Sequence, residues 1–303
     1  MKNRMNLVKV ATEFATEATC LDYIERIRWP KGVSCPECGS KKVSRFEPKG
    51  ERGKTRHLYV CLKRKCLHQF TATTGTIFHD THLPLEKWFL AIALIVDAKK
   101  GISANQLARH LDVQYRTAWH LAHRIRRAMV EPHRMLKGIV EVDETFVGGK
   151  FDPRRKRPRW KKPPVIGLIE RGGRVQAALI PSRSAQVLVG TVRDRVAPNT
   201  RVITDELPSY NRLGKLYDHD VITHAREYVR GDIYTNTVEN FWSLLKRGII
   251  GSFHKVSVKH LPRYLAEFTC RFNNRQNPEM FSTVLKSILS RNPLPYEKLI
   301  AKV

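Results

Sequence analysis

Four cysteines in the amino-terminal quarter of the chain constrain its fold more than any other feature. They form two close pairs, Cys35/Cys38 and Cys61/Cys66. The first pair is separated by two residues and the second by four, and 22 residues lie between the pairs. Short spacing of this kind is typical of zinc knuckles, and four thiolates complete one tetrahedral zinc ion. We therefore predict a structural Zn²⁺ site in a ribbon over residues 33–82, with His68 as the alternative to Cys66.

The chain is strongly basic, which narrows the choice of partner. Its 303 residues include 55 Lys+Arg and 28 Asp+Glu, so the formal net charge is +27. The hydrophobic content of 42% is enough for a core and excludes wholesale disorder. The longest apolar run, Trp88–Val96, is too short for a membrane helix of about 20 residues. Without a secretory signal at the amino terminus, we predict a cytoplasmic protein whose partner is nucleic acid.

Residues 83–135 are predicted to be helical and to contain a helix-turn-helix. Ser103 and Gln106 form a capping box at the start of the first helix, and a turn at 111–113 separates it from a second helix that ends near Met129. The residues expected on the exposed face of the second helix are Arg116, His120, Arg124, Arg126 and Arg127. Those predicted to contact DNA are Gln114, Tyr115, Arg116, Thr117 and Arg124. A helical hairpin with a solvated basic face is the alternative.

A proline-rich basic segment interrupts the carboxyl-terminal half. Residues 150–164 hold eight basic residues and four prolines, a composition that predicts an extended loop between two strands. We expect Arg154, Arg155 and Arg157 to contact DNA and to supply affinity that depends steeply on salt.

Three acidic residues stand out among the 28 because of the elements on which they fall. Asp143 lies within a strand predicted over residues 139–147, Asp205 ends another strand, and Glu239 lies on a helix over 236–247. Buried carboxylates are costly unless they are paired or bind a cation. Three of them meeting at one point would suit Mg²⁺, and two such ions about 4 Å apart can drive phosphodiester displacement.

Two neighbouring glutamates keep this assignment open. Glu141 precedes Asp143 by two residues and shares its face of the strand, so it is the alternative ligand. Glu144, next to Asp143, is predicted to form a salt bridge or to support the ligands.

The helix that carries Glu239 also carries basic residues suited to DNA. Lys246 follows Glu239 by two helical turns and therefore projects from the same face. We expect Lys246 and Arg247 to contact a DNA phosphate beside the metal. An exposed ion pair on a helix is the alternative.

Several motifs together resemble one known family. They are CPECGS, FTATTGTIF, GISANQLARHL, HRIRRAM, VEVDETFVGGK, ITDELPSY and TNTVENFWSLLKRGIIGSFHKVSVKHLPRYLAEFTCRFNNR. The chain resembles bacterial insertion-sequence transposases of the DDE type, which have an amino-terminal zinc ribbon and a ribonuclease-H-like catalytic domain. The departure is the gap between Cys61 and Cys66, where two intervening residues are usual.

The resemblance implies specific roles and a reaction. Asp143, Asp205 and Glu239 would be the metal-binding triad, and Lys246 the basic residue that follows it. The implied activity is Mg²⁺-dependent nicking at the transposon ends, followed by attack of the freed 3′-hydroxyl on target DNA. The implied assembly is a homo-oligomer on double-stranded DNA, and the implied location is the cytoplasm of a bacterium, associated with the nucleoid.

The expected fold is a multidomain α+β or α/β protein. We predict a helical segment (1–32), the zinc ribbon (33–82), the helix-turn-helix region (83–135), a ribonuclease-H-like mixed-sheet domain (136–280) and a tail (281–303). Two other functions fit the same motifs less fully. One is a DNA-binding regulator with a catalytically silent domain, and the other is a ribonuclease-H-like nuclease.

Overall fold

The computed structural model describes residues 5–46, 57–147, 164–223 and 229–301. Arg154, Arg155 and Arg157 therefore lie outside the described residues. The chain divides into two compact units, the first made of residues 1–98, 102–129 and 277–303, and the second of residues 99–101 and 130–276. No helix within the described ranges is long and apolar enough to cross a membrane.

The elements follow each other along the chain in the order that the sequence pattern predicts. The helices are α1 Leu7–Glu13, α2 Glu17–Arg28, α3 Leu85–Asp97, α4 Ala104–Leu111, α5 Tyr115–Ala128, α6 Ala185–Arg193, α7 Asn236–Gly248, α8 Leu261–Asn273, α9 Met280–Leu289 and α10 Tyr296–Ile300. The strands are β1 Val43–Phe46, β2 Leu58–Cys61, β3 Gln69–Phe70, β4 Ile139–Phe146, β5 Pro164–Glu170, β6 Val175–Leu179, β7 Arg201–Thr204 and β8 Asp218–Val221. A 3₁₀ helix, Pro208–Lys215, follows β7, and a π-helical turn, Ile249–Phe253, follows α7.

The first unit contains the ribbon and a helical core. β1, β2 and β3 form an antiparallel sheet in that order. The ring of Trp29, at the end of α2, packs edge-on against Tyr59 and Phe70 of the sheet. Helix α9 packs against α3 and α5, and its residues Phe281, Leu285 and Ile288 are buried. The described part of the predicted tail, residues 281–301, therefore belongs to this core, because its apolar residues recur at helical spacing.

The helix-turn-helix of the first unit is α4 and α5. The hydroxyl of Ser103 accepts a hydrogen bond from the backbone N–H of Gln106, as predicted, whereas the Gln106 side chain contacts the His110 ring instead of completing the capping box. Asp112 ends α4 in the left-handed conformation, with φ of 49°, and so provides the turn. At the start of α5, Arg116 and Thr117 are exposed, as expected.

Arg124 and Arg126 of α5 are buried, so the prediction that they lie on the exposed face was wrong. Arg124 is 8% exposed, and its guanidinium donates to the carbonyl oxygens of Ile77 and His79 and stacks on Trp88. Burial lowers the pKa of Arg124 to about 10. These backbone carbonyls come from a distant loop, and the helical pattern of α5 alone contains no sign of them. Arg124 is therefore a structural residue, and the prediction that it contacts DNA is not supported.

The second unit is built on a mixed sheet with the strand order β6-β5-β4-β7-β8. β4, β5 and β6 are antiparallel neighbours, and β7 and β8 run parallel to β4. One face of the sheet packs against α6 and the 3₁₀ helix through Val140, Val142 and Leu188. The opposite face packs against α7 and α8 through Val165 and Phe241. The predicted mixed-sheet domain is confirmed, and the strands that carry the candidate carboxylates are its central ones.

Candidate functional site

Asp143 and Asp205 are brought together by the pairing of β4 with β7. The two strands are parallel, and Glu141 lies opposite Ile203 in their register. Two residues further along the same register, Asp143 comes opposite Asp205, which directly follows the last residue of β7. The parallel pairing thus places both carboxylates side by side on one face of the sheet, at the carboxyl end of β7.

Glu144 is the third carboxylate at this point. Oxygen atoms of Asp143, Glu144 and Asp205 lie within 4.8 Å of one another. Glu144 also accepts a hydrogen bond from the Tyr210 hydroxyl (2.8 Å) and pairs with Arg183 (3.2 Å), which fits its predicted supporting role. Burial, together with the charges of Glu144 and Asp205, raises the pKa of Asp143 to about 7. The site thus concentrates negative charge that a bound cation would stabilise.

Glu239 lies beside this group but outside it. Helix α7 contacts the sheet through Trp242, whose indole N–H donates to Oδ2 of Asp143 at 2.9 Å. Glu239 is one helical turn before Trp242, and its Oε1 accepts from the Thr235 hydroxyl at 3.1 Å. Glu239 and Lys246 are both exposed, in keeping with the predicted shared face of α7. The structure therefore joins two members of the predicted triad and places the third on the adjoining helix.

Gly167 is a site residue that sequence reasoning missed. It lies opposite Asp143 in the pairing of β4 with β5. A Cβ atom at this position would lie 2.4 Å from the Trp242 ring, so any side chain would displace the indole that contacts Asp143. A glycine inside an otherwise apolar strand is the one sequence signal for such a close approach.

Glu141, the alternative ligand, has a different role. Its side chain is fully buried and accepts hydrogen bonds from the first turn of α7 and from Arg171. It does not belong to the carboxylate group at Asp143 within the described part of the chain. The expectation of a substitute metal ligand is therefore not supported.

The four predicted thiols converge in the ribbon of the first unit. The sulfur atoms of Cys35 and Cys66 are 3.7 Å apart, and those of Cys38 and Cys61 are 3.6 Å apart. A tetrahedral zinc ion with Zn–S bonds of about 2.3 Å separates its sulfur ligands by about 3.8 Å, so the site fits this ion. The Ser40 backbone N–H, with help from the other thiols, lowers the pKa of Cys38 to about 7, while burial and the neighbouring thiols raise the pKa values of Cys61 and Cys66.

The four residues between Cys61 and Cys66 do not prevent both thiols from joining the site. The backbone N–H groups of Cys66 and Leu67 donate to the carbonyl oxygen of Lys63, and Leu67 has a φ of 49°. This turn takes up the two extra residues. His68 stacks on Phe70 and is not one of the four converging ligands.

Comparison with known proteins extends these observations. Residues 135–273 match the family model described as the ISXO2-like transposase domain, and residues 15–69 match the transposase zinc-ribbon domain. Among solved structures, the Mos1 strand transfer complex is 13% identical and covers 66% of this chain and 74% of that chain, with a TM-score of 0.27. A pre-cleavage Mos1 transpososome is 14% identical and covers 67% and 78%, with a TM-score of 0.27.

Two relatives match in sequence. A transposase-like protein of Haemophilus influenzae is 29% identical over 117 residues, which are 38% of this chain and 94% of that protein. An uncharacterized protein in transposable element ISH50 of Halobacterium salinarum is 31% identical over 299 residues, covering 91% of this chain and 98% of the relative. From the two matched domains and this near full-length relative, we conclude that the chain belongs to the family of ISXO2-like insertion-sequence transposases with a zinc ribbon.

Proposed function

We propose that this transposase binds the terminal inverted repeats of its insertion sequence, cuts a DNA strand at each end and joins the freed 3′ end to target DNA. The observation that carries the proposal is the meeting of Asp143, within β4, and Asp205, which directly follows the neighbouring parallel strand β7. Helix α7, with Glu239 and Lys246, contacts Asp143 through Trp242.

The carboxylates fit a divalent cation. Mg²⁺ prefers hard oxygen ligands at about 2.1 Å, and oxygens of Asp143, Glu144 and Asp205 are already within 4.8 Å of one another. We assign two Mg²⁺ ions to this site, with Asp143, Asp205 and Glu239 as their protein ligands. When bound, Mg²⁺ would polarise the scissile phosphate and activate the attacking water or 3′-hydroxyl.

The protein's own residues bind and orient the DNA around this centre. The exposed ammonium of Lys246 would bind a phosphate next to the scissile one, and Arg247, also exposed, would add a second contact. The N–H of Trp242 holds the Asp143 carboxylate in one orientation. Tyr210 and Arg183 do the same for Glu144.

The remaining predicted parts supply recognition. We assign end binding to the ribbon, held by a structural Zn²⁺, and to Gln114, Tyr115, Arg116 and Thr117 at the start of α5. Arg154, Arg155 and Arg157 would add non-specific affinity for the DNA backbone. The two ends would be held by a homo-oligomer, acting on DNA at the bacterial nucleoid.

The direct test uses the DNA that flanks the gene. Labelled duplexes that carry its inverted repeats are incubated with the protein, Mg²⁺ and a target plasmid. We expect nicks at the element boundary that leave 3′-hydroxyl ends, and joined products with the plasmid. Specific binding without cleavage in Mg²⁺ or Mn²⁺ would instead indicate a silent regulator. Cleavage of RNA–DNA hybrids without preference for the ends would indicate a nuclease.

Two arginines of α5 should behave differently when replaced by alanine. Arg116 is exposed, and its Nε donates to the Tyr296 hydroxyl at 2.9 Å. If Arg116 reads a base, Arg116→Ala should weaken binding to the end sequence by about 1–3 kcal/mol with little change in stability. Arg124→Ala removes a buried guanidinium and should lower the free energy of unfolding by about 2–4 kcal/mol.

Fluorescence anisotropy with end and scrambled duplexes, together with thermal unfolding, measures both effects. Arg212→Ala, an exposed arginine of the second unit, is the control for loss of one charge. Equal weakening on end and scrambled duplexes for Arg116→Ala would contradict a base-reading role.

A further inference from the structure

Helix α7 begins with its first turn bonded to a neighbouring strand. The hydroxyl of Thr235, at the N-cap position, donates to Glu239 instead of accepting from the first turn. Glu141 of β4 accepts from the backbone N–H groups of Thr237 (2.9 Å) and Val238 (3.1 Å). The first N–H groups of a helix need acceptors and favour negative charge, and here a strand carboxylate provides both.

The carboxylate of Glu141 is saturated by further donors. The Thr237 hydroxyl and Nε of Arg171 each donate to Oε1 at 2.9 Å. Glu141 is fully buried, so this arginine also balances a charge that would otherwise be very costly. A group bound on both oxygens in this way has one orientation, and so does the helix end attached to it.

Arg171 extends the same attachment to the chain that leads into α7. Its Nη1 and Nη2 donate to the carbonyl oxygens of Asp232 (2.6 Å) and Tyr234 (2.9 Å). The guanidinium also lies over the Tyr234 ring, 3.6 Å from its centroid. The Glu141–Arg171 pair therefore holds both the approach to α7 and its first turn.

We propose that the Glu141–Arg171 pair is a positioning device that aligns α7, and with it Glu239 and Trp242, against Asp143. Glu141 and Asp143 are two residues apart on the same face of β4. The hydrogen bonds to Glu141 therefore fix the start of α7 to the same strand that carries Asp143. This inference rests on the proposed function where it concerns metal binding. The attachment of α7 itself can be tested without it.

The alternative is a buried ion pair that only adds stability, and a matched variant separates the two. Glu267 of α8 is also fully buried and pairs with Arg271 in the same unit. Both Glu141→Gln and Glu267→Gln remove one buried charge next to an arginine. A purely structural role predicts the same consequences for both variants.

The experiment uses the full-length, zinc-loaded protein and two readouts. Tb³⁺ alone serves as the metal probe, and its emission is excited through Trp242, which contacts Asp143. Trp242→Phe identifies that signal, and Mg²⁺ competes for the site. Hydrogen exchange of the amides of residues 237–242 reports the attachment of α7 independently of metal.

We expect Glu141→Gln to weaken Tb³⁺ binding about tenfold, to reduce the sensitised emission and to speed exchange in the first turns of α7 about tenfold. Glu267→Gln should leave all three unchanged, whatever its effect on thermal stability. Should Glu141→Gln fail to fold, Thr237→Val removes one donor to Glu141 and should give a smaller change, about twofold to threefold, in the same direction.

Two results would overturn the inference. One is wild-type exchange and Tb³⁺ binding in the folded Glu141→Gln protein, or in Thr237→Val if it is the variant that folds. The other is an equal change in Glu267→Gln. Wild-type protein that binds no Tb³⁺ in competition with Mg²⁺ would refute the proposed metal site instead, and hydrogen exchange would still decide the positioning role.

Discussion

Asp143→Asn is expected to reduce Mg²⁺-dependent strand cleavage by at least about 10³-fold, which corresponds to about 4 kcal/mol of transition-state stabilisation. Asparagine has nearly the same size as aspartate, and its carbonyl oxygen can still accept from the Trp242 indole. The change therefore removes a charged ligand without creating a cavity, at the cost of the hydrogen bond that the Glu144 backbone N–H donates to Oδ1 of Asp143. Single-turnover nicking of an end-labelled inverted-repeat duplex measures the effect.

Binding to the same duplex is the internal reference for this variant. We expect the affinity of Asp143→Asn for the end sequence to stay within about twofold of wild type, because DNA recognition is assigned to other residues. Asp218→Asn makes the same chemical change at an exposed position of β8 and should cleave normally. Cleavage retained in Asp143→Asn would remove this residue from the metal site.

Loss of zinc is expected to have the second large effect. The core of the ribbon is small, with Cys35, Tyr59, Cys61 and Phe70 as its buried apolar residues, so the metal must contribute much of its stability. Structural zinc sites of this kind are worth on the order of 10 kcal/mol. Cys38→Ser should release the metal and weaken end binding by about 100-fold, towards the non-specific level.

Zinc content by atomic absorption and binding by anisotropy check this prediction together. Cys20→Ser is the matched control, because Cys20 is buried in α2 and lies outside the converging thiols. It should keep its zinc and its affinity. The second unit should unfold at an unchanged temperature in Cys38→Ser. End binding that persists after verified loss of zinc would contradict a role of the ribbon in recognition.

The sequence alone predicted the features that depend on local spacing. The two cysteine pairs predicted a zinc ribbon because their short separations are typical of zinc knuckles, and the structure brings all four sulfur atoms together. The apolar pattern of residues 139–147 predicted a strand that carries Asp143, and Asp205 was predicted to end another strand. Only the structure shows that these two strands are parallel neighbours, which is why the two carboxylates meet.

Only the tertiary structure decided which side chains share an environment. Arg124 and Arg116 lie on the same helix. Arg124 is buried because it donates hydrogen bonds to backbone carbonyl groups of a distant loop, whereas Arg116 is exposed. Glu141 and Asp143 lie on the same face of β4, but Glu141 accepts hydrogen bonds from the first turn of α7 because that helix end packs against it. These outcomes depend on contacts between residues far apart in the chain. The hydrophobic periodicity of the sequence indicates on which face of a helix or strand a residue lies. Which residues it contacts on that face depends on how the elements pack.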